Sequence, residues 1–161
     1  LKSMFIDRWI SWLDALSTPK NAVEKALSLV ESNIINLLND NRWGNWMLDN
    51  RHLDSHAELS LTYVDSQERI QDLVIDRTFI EKETGIRWII DYKTGKSMKG
   101  GDLVKDPLEQ AQLPLYALTF EPTPQAVAYG ILNVEVNELS GVGAKETASK
   151  AGFSNGIPKG M

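Results

Sequence analysis

The stretch Trp88-Ile89-Ile90-Asp91-Tyr92-Lys93-Thr94-Gly95 constrains this chain more than any other. Its run of consecutive apolar residues predicts a strand buried on both faces, yet the run ends in a carboxylate and an ammonium two residues apart. Side chains at i and i+2 share one face of a strand, so Asp91 and Lys93 are expected to point one way and Ile90 and Tyr92 the other. Charge at the end of a core strand has two readings. One is an ion pair before a Gly turn; the other is a metal-binding carboxylate with a lysine that steadies an attacking water. A second carboxylate on the same sheet would favour the latter.

One stands on the preceding segment. In Leu73-Val74-Ile75-Asp76-Arg77-Thr78-Phe79, alternation predicts Leu73, Ile75 and Phe79 on one face and Val74, Asp76 and Thr78 on the other. The polar run Glu81 to Gly85 ends in Gly and reads as a hairpin connection to a strand beginning near Ile86. Asp76 and Asp91 are therefore expected as cross-strand neighbours. Two carboxylates a few Å apart repel, and a divalent cation lets both stay ionised. Oxygen ligands of this kind favour Mg²⁺ or Mn²⁺.

Taken in order, Ile75-Asp76-Arg77, Ile90-Asp91-Tyr92-Lys93-Thr94-Gly95 and Gln112-Leu113-Pro114-Leu115-Tyr116 resemble the motifs of RecB-type nucleases, a branch of the PD-(D/E)XK superfamily. The resemblance spans roughly Glu58 to Tyr116 and is nearest to domains fused to helicases or found in DNA-repair proteins. It implies a restriction-endonuclease-like α/β fold, a mixed β-sheet flanked by helices. It further implies Asp76 and Asp91 as metal ligands, the Tyr92 carbonyl as a further ligand and Lys93 as the catalytic lysine. Gln112 and Tyr116, i and i+4 on one helix face, would contact the substrate backbone or hold Lys93. Family members carry an acidic residue on the strand before the Asp-Arg motif, and Glu58 is the matching position, acting through a metal-bound water.

The implied activity is Mg²⁺- or Mn²⁺-dependent hydrolysis of DNA, as an exonuclease rather than an endonuclease, in DNA repair or recombination. The implied partner is a helicase domain on the same chain or on a partner subunit. An alternative is a silent module of the same fold that guides DNA within a helicase complex. Degenerate copies usually lose the Asp or the Lys, and both are present here. A hydrolase of small phosphate esters has only the acidic charge in its favour. One departure from the family stands out: the usual first helix with a Gly-x-x-x-His pattern is missing. The chain is therefore expected to be a fragment of a longer, helicase-bearing protein, with a site short of one neutral ligand.

Composition narrows the setting. The 161 residues suffice for one domain with a real core, and 42% hydrophobic with 24% charged content is that of an ordinary globular protein. The chain has no cysteine, which excludes disulfides and cysteine-ligated zinc or iron–sulfur sites and fits a cytoplasmic setting. No apolar run approaches the ~20 residues of a membrane helix, and no signal-peptide pattern opens the chain. A net charge of −5 is unexpected for a protein that meets a polyanion, and suggests that a fused or partner motor delivers the DNA. Lys93, Lys96, Lys99 and Lys105 are a local exception, readable as a solvated loop or as a phosphate-contacting one.

Along the chain, Phe5, Trp9, Trp12, Leu13 and Leu16 predict an amphipathic helix burying two indoles. Thr18 reads as the N-cap and Pro19 as the first residue of a second helix with an apolar stripe of Val23, Ala26, Leu27, Val30, Ile34, Leu37 and Leu38, ended by Asn39-Asp40-Asn41. Trp43 and Trp46 are expected to pack against these helices rather than stack on bases, and His52 and His56 lack the helix signal of a zinc pair. Ala57, Leu59, Leu61 and Tyr63 alternate as a half-buried strand with Glu58 on its other face. Asp106-Pro107-Leu108-Glu109 reads as a capping-box start to the Gln112 helix, which Pro114 should bend, and a last strand is expected from Ala126 to Val136. The predicted organisation is a helical part over 1–50, a nuclease core over 51–138 and a mobile tail over 139–161.

Overall fold

The computed structural model describes residues 2–94, 111–132 and 137–143. Strands β1 (Leu53–Val64), β2 (Ile70–Ile80) and β3 (Arg87–Lys93) form an antiparallel meander. Strand β4 (Ala126–Ile131) pairs with β3 in parallel, and β5 (Glu138–Gly143) pairs antiparallel with β4, so the order is β1-β2-β3-β4-β5. A parallel neighbour requires a crossover, and that between β3 and β4 carries helix α4 (Gln112–Thr119). Helices α1 (Lys2–Ala15), α2 (Lys20–Asn39) and α3 (Gly44–Leu48) precede the sheet. This is the mixed β-sheet flanked by helices that the resemblance implies. Among the described residues no helix is long and apolar enough to cross a membrane.

Strand β3 divides the core. Ile89 packs with Leu73, Ile75, Leu113, Tyr116 and Tyr129 on the α4 side. Trp88 and Ile90 pack with Met47 of α3 and with Phe79 on the other side, where Leu37 at the end of α2 and the indoles of Trp43 and Trp46 join them. The Trp46 ring meets Phe79 and Trp88 edge to face at centroid distances of 5.2 and 5.0 Å, and its Nε1–H donates to Glu81 Oε1 at 2.6 Å. The two indoles thus pack, but against the sheet residues Phe79 and Trp88 and, of the preceding helices, only the end of α2 at Leu37. His52 is stacked on Phe79 with centroids 4.1 Å apart. Its Nδ1 accepts from the Lys82 N–H (3.4 Å), which leaves Nε2–H to donate to the Trp46 carbonyl (2.9 Å). His56 turns instead to Asp54 at 2.8 Å, so the two imidazoles belong to different environments.

Several expectations are corrected. Pro19, not Thr18, occupies the cap position of α2, its carbonyl accepting from Ala22 and Val23 N–H at 2.9 and 3.0 Å. Trp12 of α1 and Leu16, just past its end, are 58% and 75% exposed, so the helix does not bury both indoles. Of the α2 stripe only Val23 is buried, while Val30, Ile34 and Leu38 face outward. A 3.6-residue period marks an apolar face but not what covers it. Phe79 lies on the side of the sheet opposite Leu73 and Ile75, although all three are odd-numbered residues of one strand. Pro114 is the third residue of the described helix, where its missing N–H leaves no helical bond unmade, and it needs no bend there. The expected helix start at Asp106 and the lysines at 96, 99 and 105 lie outside the described residues.

The end of the chain differs most. The strand expected to run to Val136 ends at Ile131, with 133–136 outside the described residues. Leu139 to Gly143, expected to open a tail, instead complete β5 with a regular register from Glu138↔Ile131 to Gly143↔Ala126. Gly141 makes this possible. A Cβ there would stand 2.2 Å from the Val127 carbonyl oxygen and 2.6 Å from the Cα of Ala128. Gly141→Ala should therefore cost about 1–3 kcal/mol and lower Tm by roughly 5 °C. Thermal melts followed by circular dichroism check this, since a substitution in an unpaired tail leaves Tm where it is.

Candidate active site

The site lies where two ladders part. β2 and β3 pair from Ile80↔Arg87 to Arg77↔Ile90, and Asp76 and Asp91 are the next residues on each strand. Beyond that point β2 continues with β1 as far as Ile70↔Val64, while β3 continues with β4 as far as Lys93↔Ile131. The Tyr92 N–H, left without a ladder carbonyl, donates to Asp76 Oδ2 at 2.7 Å. One carboxylate oxygen of Asp76 is thus spent on closing the gap between the strands. The other remains for a ligand.

Asp76 faces the site because β2 breaks its alternation there. Paired residues on neighbouring strands share a face, so Thr78, paired with Ile89, lies on the α4 side, while Arg77 and Phe79, paired with Ile90 and Trp88, lie on the α3 side. Counting back from Thr78, Asp76 shares the face of Ile89 and Asp91. Leu73 and Ile75 also pack on that face, so the exchange falls at Asp76 itself. Across from Asp76 in the β1 register stands Glu58, between the pairs Ala57↔Arg77 and Leu59↔Ile75, with φ at 52°. A left-handed residue in a strand turns the local pleat, as at a bulge. Glu58 itself is exposed. Arg77, turned to the other face, donates to the Met47 and Asp49 carbonyls at 3.2 and 3.4 Å and so ties β2 to the end of α3.

Asp91 and Lys93 do share a face, as their spacing predicts. Asp91 is 1% exposed, and its Oδ2 lies 2.5 Å from Lys93 Nζ. Burial pushes the Asp91 carboxyl above the ordinary carboxylate range; Lys93 opposes that rise and the charge of Asp76 adds to it. Lys93 Nζ also donates to Gln112 Oε1 at 3.1 Å. Gln112 Nε2–H in turn donates to the Tyr116 hydroxyl at 2.6 Å, and that hydroxyl donates to the Val74 carbonyl, also at 2.6 Å. A continuous chain therefore runs from the Asp91 carboxylate through Lys93, Gln112 and Tyr116 to the backbone of β2. Burial raises the Tyr116 phenol above its usual range, so it stays a neutral donor. Lys93 Nζ stands 5.8 Å from the centroid of the Tyr129 ring as well.

The donor set fits a hard divalent cation. Asp76 and Asp91 bring two carboxylates close enough for one to perturb the other, and a cation between them would relieve both that repulsion and the cost of burying Asp91. Among the described residues no group of three His, Asp or Glu side chains that could hold a metal occurs. Further oxygens would have to come from backbone and water, as Mg²⁺ accepts. The structure thus links Asp91, Lys93, Gln112 and Tyr116 by direct contacts and ties Asp76 to β3 through the Tyr92 N–H, while Glu58 stands exposed across the ladder from Asp76. Sequence reasoning missed the parts played by the Tyr92 N–H and the Val74 carbonyl, because backbone groups carry no residue signal.

A model of the PD-(D/E)XK nuclease superfamily matches residues 15–154. No curated protein sequence matches the chain. A solved structure described as "Crystal structure of SSO0001" aligns with a TM-score of 0.39 at 15% identity over 83% of this chain, which spans 59% of that one.

Two expectations follow from the geometry. In metal-free buffer at neutral pH, Asp91→Asn should raise Tm, because it removes a charge whose burial outweighs its ion pair. The folded carboxyl holds its proton more tightly than the unfolded one, so the parent gains stability as pH falls through its raised pKa toward 3.8, and the variant's advantage shrinks over the same range. Melting curves of both proteins across pH 4 to 8 in EDTA check the sign. Tyr116→Phe removes the donor to the Val74 carbonyl and the acceptor for Gln112, and should cost about 1–2 kcal/mol in urea unfolding.

Proposed function

The chain belongs to the PD-(D/E)XK nuclease superfamily, and from that premise we propose that it is a metal-dependent deoxyribonuclease that hydrolyses phosphodiester bonds. The observation that carries this reading is the buried Asp91 held by Lys93 at 2.5 Å at the point where the β2 and β3 ladders part. A fold gains no stability from burying a carboxylate that burial itself destabilises, unless something binds it. Asp76 and Asp91 would hold Mg²⁺ or Mn²⁺, with the Tyr92 carbonyl as a further ligand. Such an ion supplies a water of lowered pKa and offsets charge on the phosphate.

The other roles fall to the chain's own groups. Lys93, a fixed cation beside Asp91, orients the attacking water or offsets charge developing on the phosphate. Gln112 and Tyr116 hold that ammonium in place through the amide and phenol contacts already described, and the exposed Gln112 is also available to the substrate backbone. Glu58, across from Asp76 in the register, acts through a water. The net charge of −5 supports a domain to which DNA is brought by a helicase on the same chain or on a partner subunit. That setting favours exonucleolytic work in repair or recombination, and the absence of cysteine is in keeping with the cytoplasm.

A second reading is a silent module of this fold that guides DNA. The small ligand set favours it, since two carboxylates stand without a third ionisable ligand among the described residues. Cleavage decides between them. Linear single- and double-stranded DNA with Mg²⁺ or Mn²⁺ should be degraded, and EDTA should abolish the activity. Asp91→Asn and Lys93→Ala should each lower the rate by about 10²-fold or more. Calorimetry should then separate the two, with weakened Mn²⁺ binding in Asp91→Asn and retained binding in Lys93→Ala. Intact DNA under every metal condition would return the chain to the silent reading.

A further inference from the structure

We infer that Tyr129 is a positioning residue for Lys93: its buried ring is a neutral platform that keeps the ammonium in place when a cation draws on the charge of Asp91. This rests on the nuclease reading above. Tyr129 lies on β4, directly beside Asp91 in the parallel register (Asp91↔Tyr129), and is fully buried. It is packed among Ile75, Ile89, Leu113 and Tyr116, so the ring has no freedom to follow the lysine and can only fix it.

The ammonium has attractors of three kinds around it: the Asp91 carboxylate at 2.5 Å, the Gln112 amide oxygen at 3.1 Å and the Tyr129 ring at 5.8 Å. They differ in what a divalent cation does to them. Asp91 is shared, so its hold on Lys93 weakens as a cation of the same sign as Lys93 approaches. The amide dipole and the π face carry no net charge, and the Gln112 amide oxygen is already engaged by Lys93, so a cation at Asp91 weakens their hold far less. Gln112 alone fixes one direction. The ring adds a second from beneath, on the sheet side, and two directions set the position of Nζ relative to Asp91 where one would leave it free to swing about the amide. The side chain of Lys93 is 31% exposed, so without the ring water offers it other places to go.

The ring and not the hydroxyl is the operative part, which makes Tyr129→Phe the conservative variant and Tyr129→Leu the test. In metal-free protein labelled with ¹³C-lysine, the Lys93 ε-methylene protons of the parent should be shifted upfield by the ring current. Tyr129→Phe should keep that shift and Tyr129→Leu should lose it, with Tyr116 present in all three. On linear DNA at saturating metal, Tyr129→Leu should lower kcat about tenfold with KM nearly unchanged, and Tyr129→Phe should restore most of that loss. Rates are compared well below the Tm of each variant. Loss of kcat in Phe and Leu variants alike, or in neither, overturns the inference, as does a Lys93 resonance that ignores the ring. If the parent itself leaves DNA intact while the ring-current shift is present, the nuclease reading fails instead.

Discussion

The buried carboxylate of Asp91 is the constraint around which the rest is arranged. It sits on the central part of the sheet, one residue past the last β2–β3 pair, with apolar packing from Ile89 and Tyr129 about it. A charge in such a place is destabilising unless paired, and breaking its pair would leave it more so. The chain answers with one cation from two residues on, Lys93, and then invests further side chains in holding that cation. Gln112 and Tyr116 extend the contact from α4 to the Val74 carbonyl of β2. Helix α4 therefore does more than cover an apolar face. It anchors both the crossover and the charge.

The second carboxylate is placed by a different device. Asp76 reaches the α4 side only because β2 exchanges its faces there, opposite the left-handed Glu58. The same exchange turns Arg77 toward α3, where its guanidinium holds the Met47 and Asp49 carbonyls and lies 5.6 Å from the Phe79 ring. One irregularity thus aims an acid at the site and a base at the supporting helix. The Asp-Arg pairing in the sequence records both tasks.

Behind the site, the α3 face is stiff and aromatic. Trp46, His52, Phe79 and Trp88 interlock at centroid distances between 4.1 and 5.9 Å. Gly130 leaves room for the Tyr92 ring beside them, since a Cβ there would come within 3.0 Å of that ring and 3.1 Å of Met47 Sδ. Tight packing on this side holds β3 in place beneath its charged end. Helix α2 adds only Leu37 to this cluster, and Val30, Ile34 and Leu38 of its apolar face are turned outward.

What the sequence determined by itself is whatever a local period or a fixed spacing encodes. The meander of strands, the shared face of Asp91 and Lys93, the shared face of Gln112 and Tyr116 and the order of the motifs were all legible, because side-chain direction repeats every two residues in a strand and every 3.6 in a helix. What only the tertiary structure decided depends on partners distant in the chain. The face exchange at Asp76 shows itself in the pairing with β3 and faces a backbone conformation on β1; the place of Tyr129 beside Asp91 depends on a parallel register across a crossover. Strand β5 was invisible because glycine suppresses its apolar pattern, and glycine is there because the Val127 carbonyl approaches too closely for any side chain. A stripe of leucine and isoleucine on α2 predicted a helix correctly and its burial wrongly, since periodicity states which face is apolar and only the neighbouring elements determine whether it is covered.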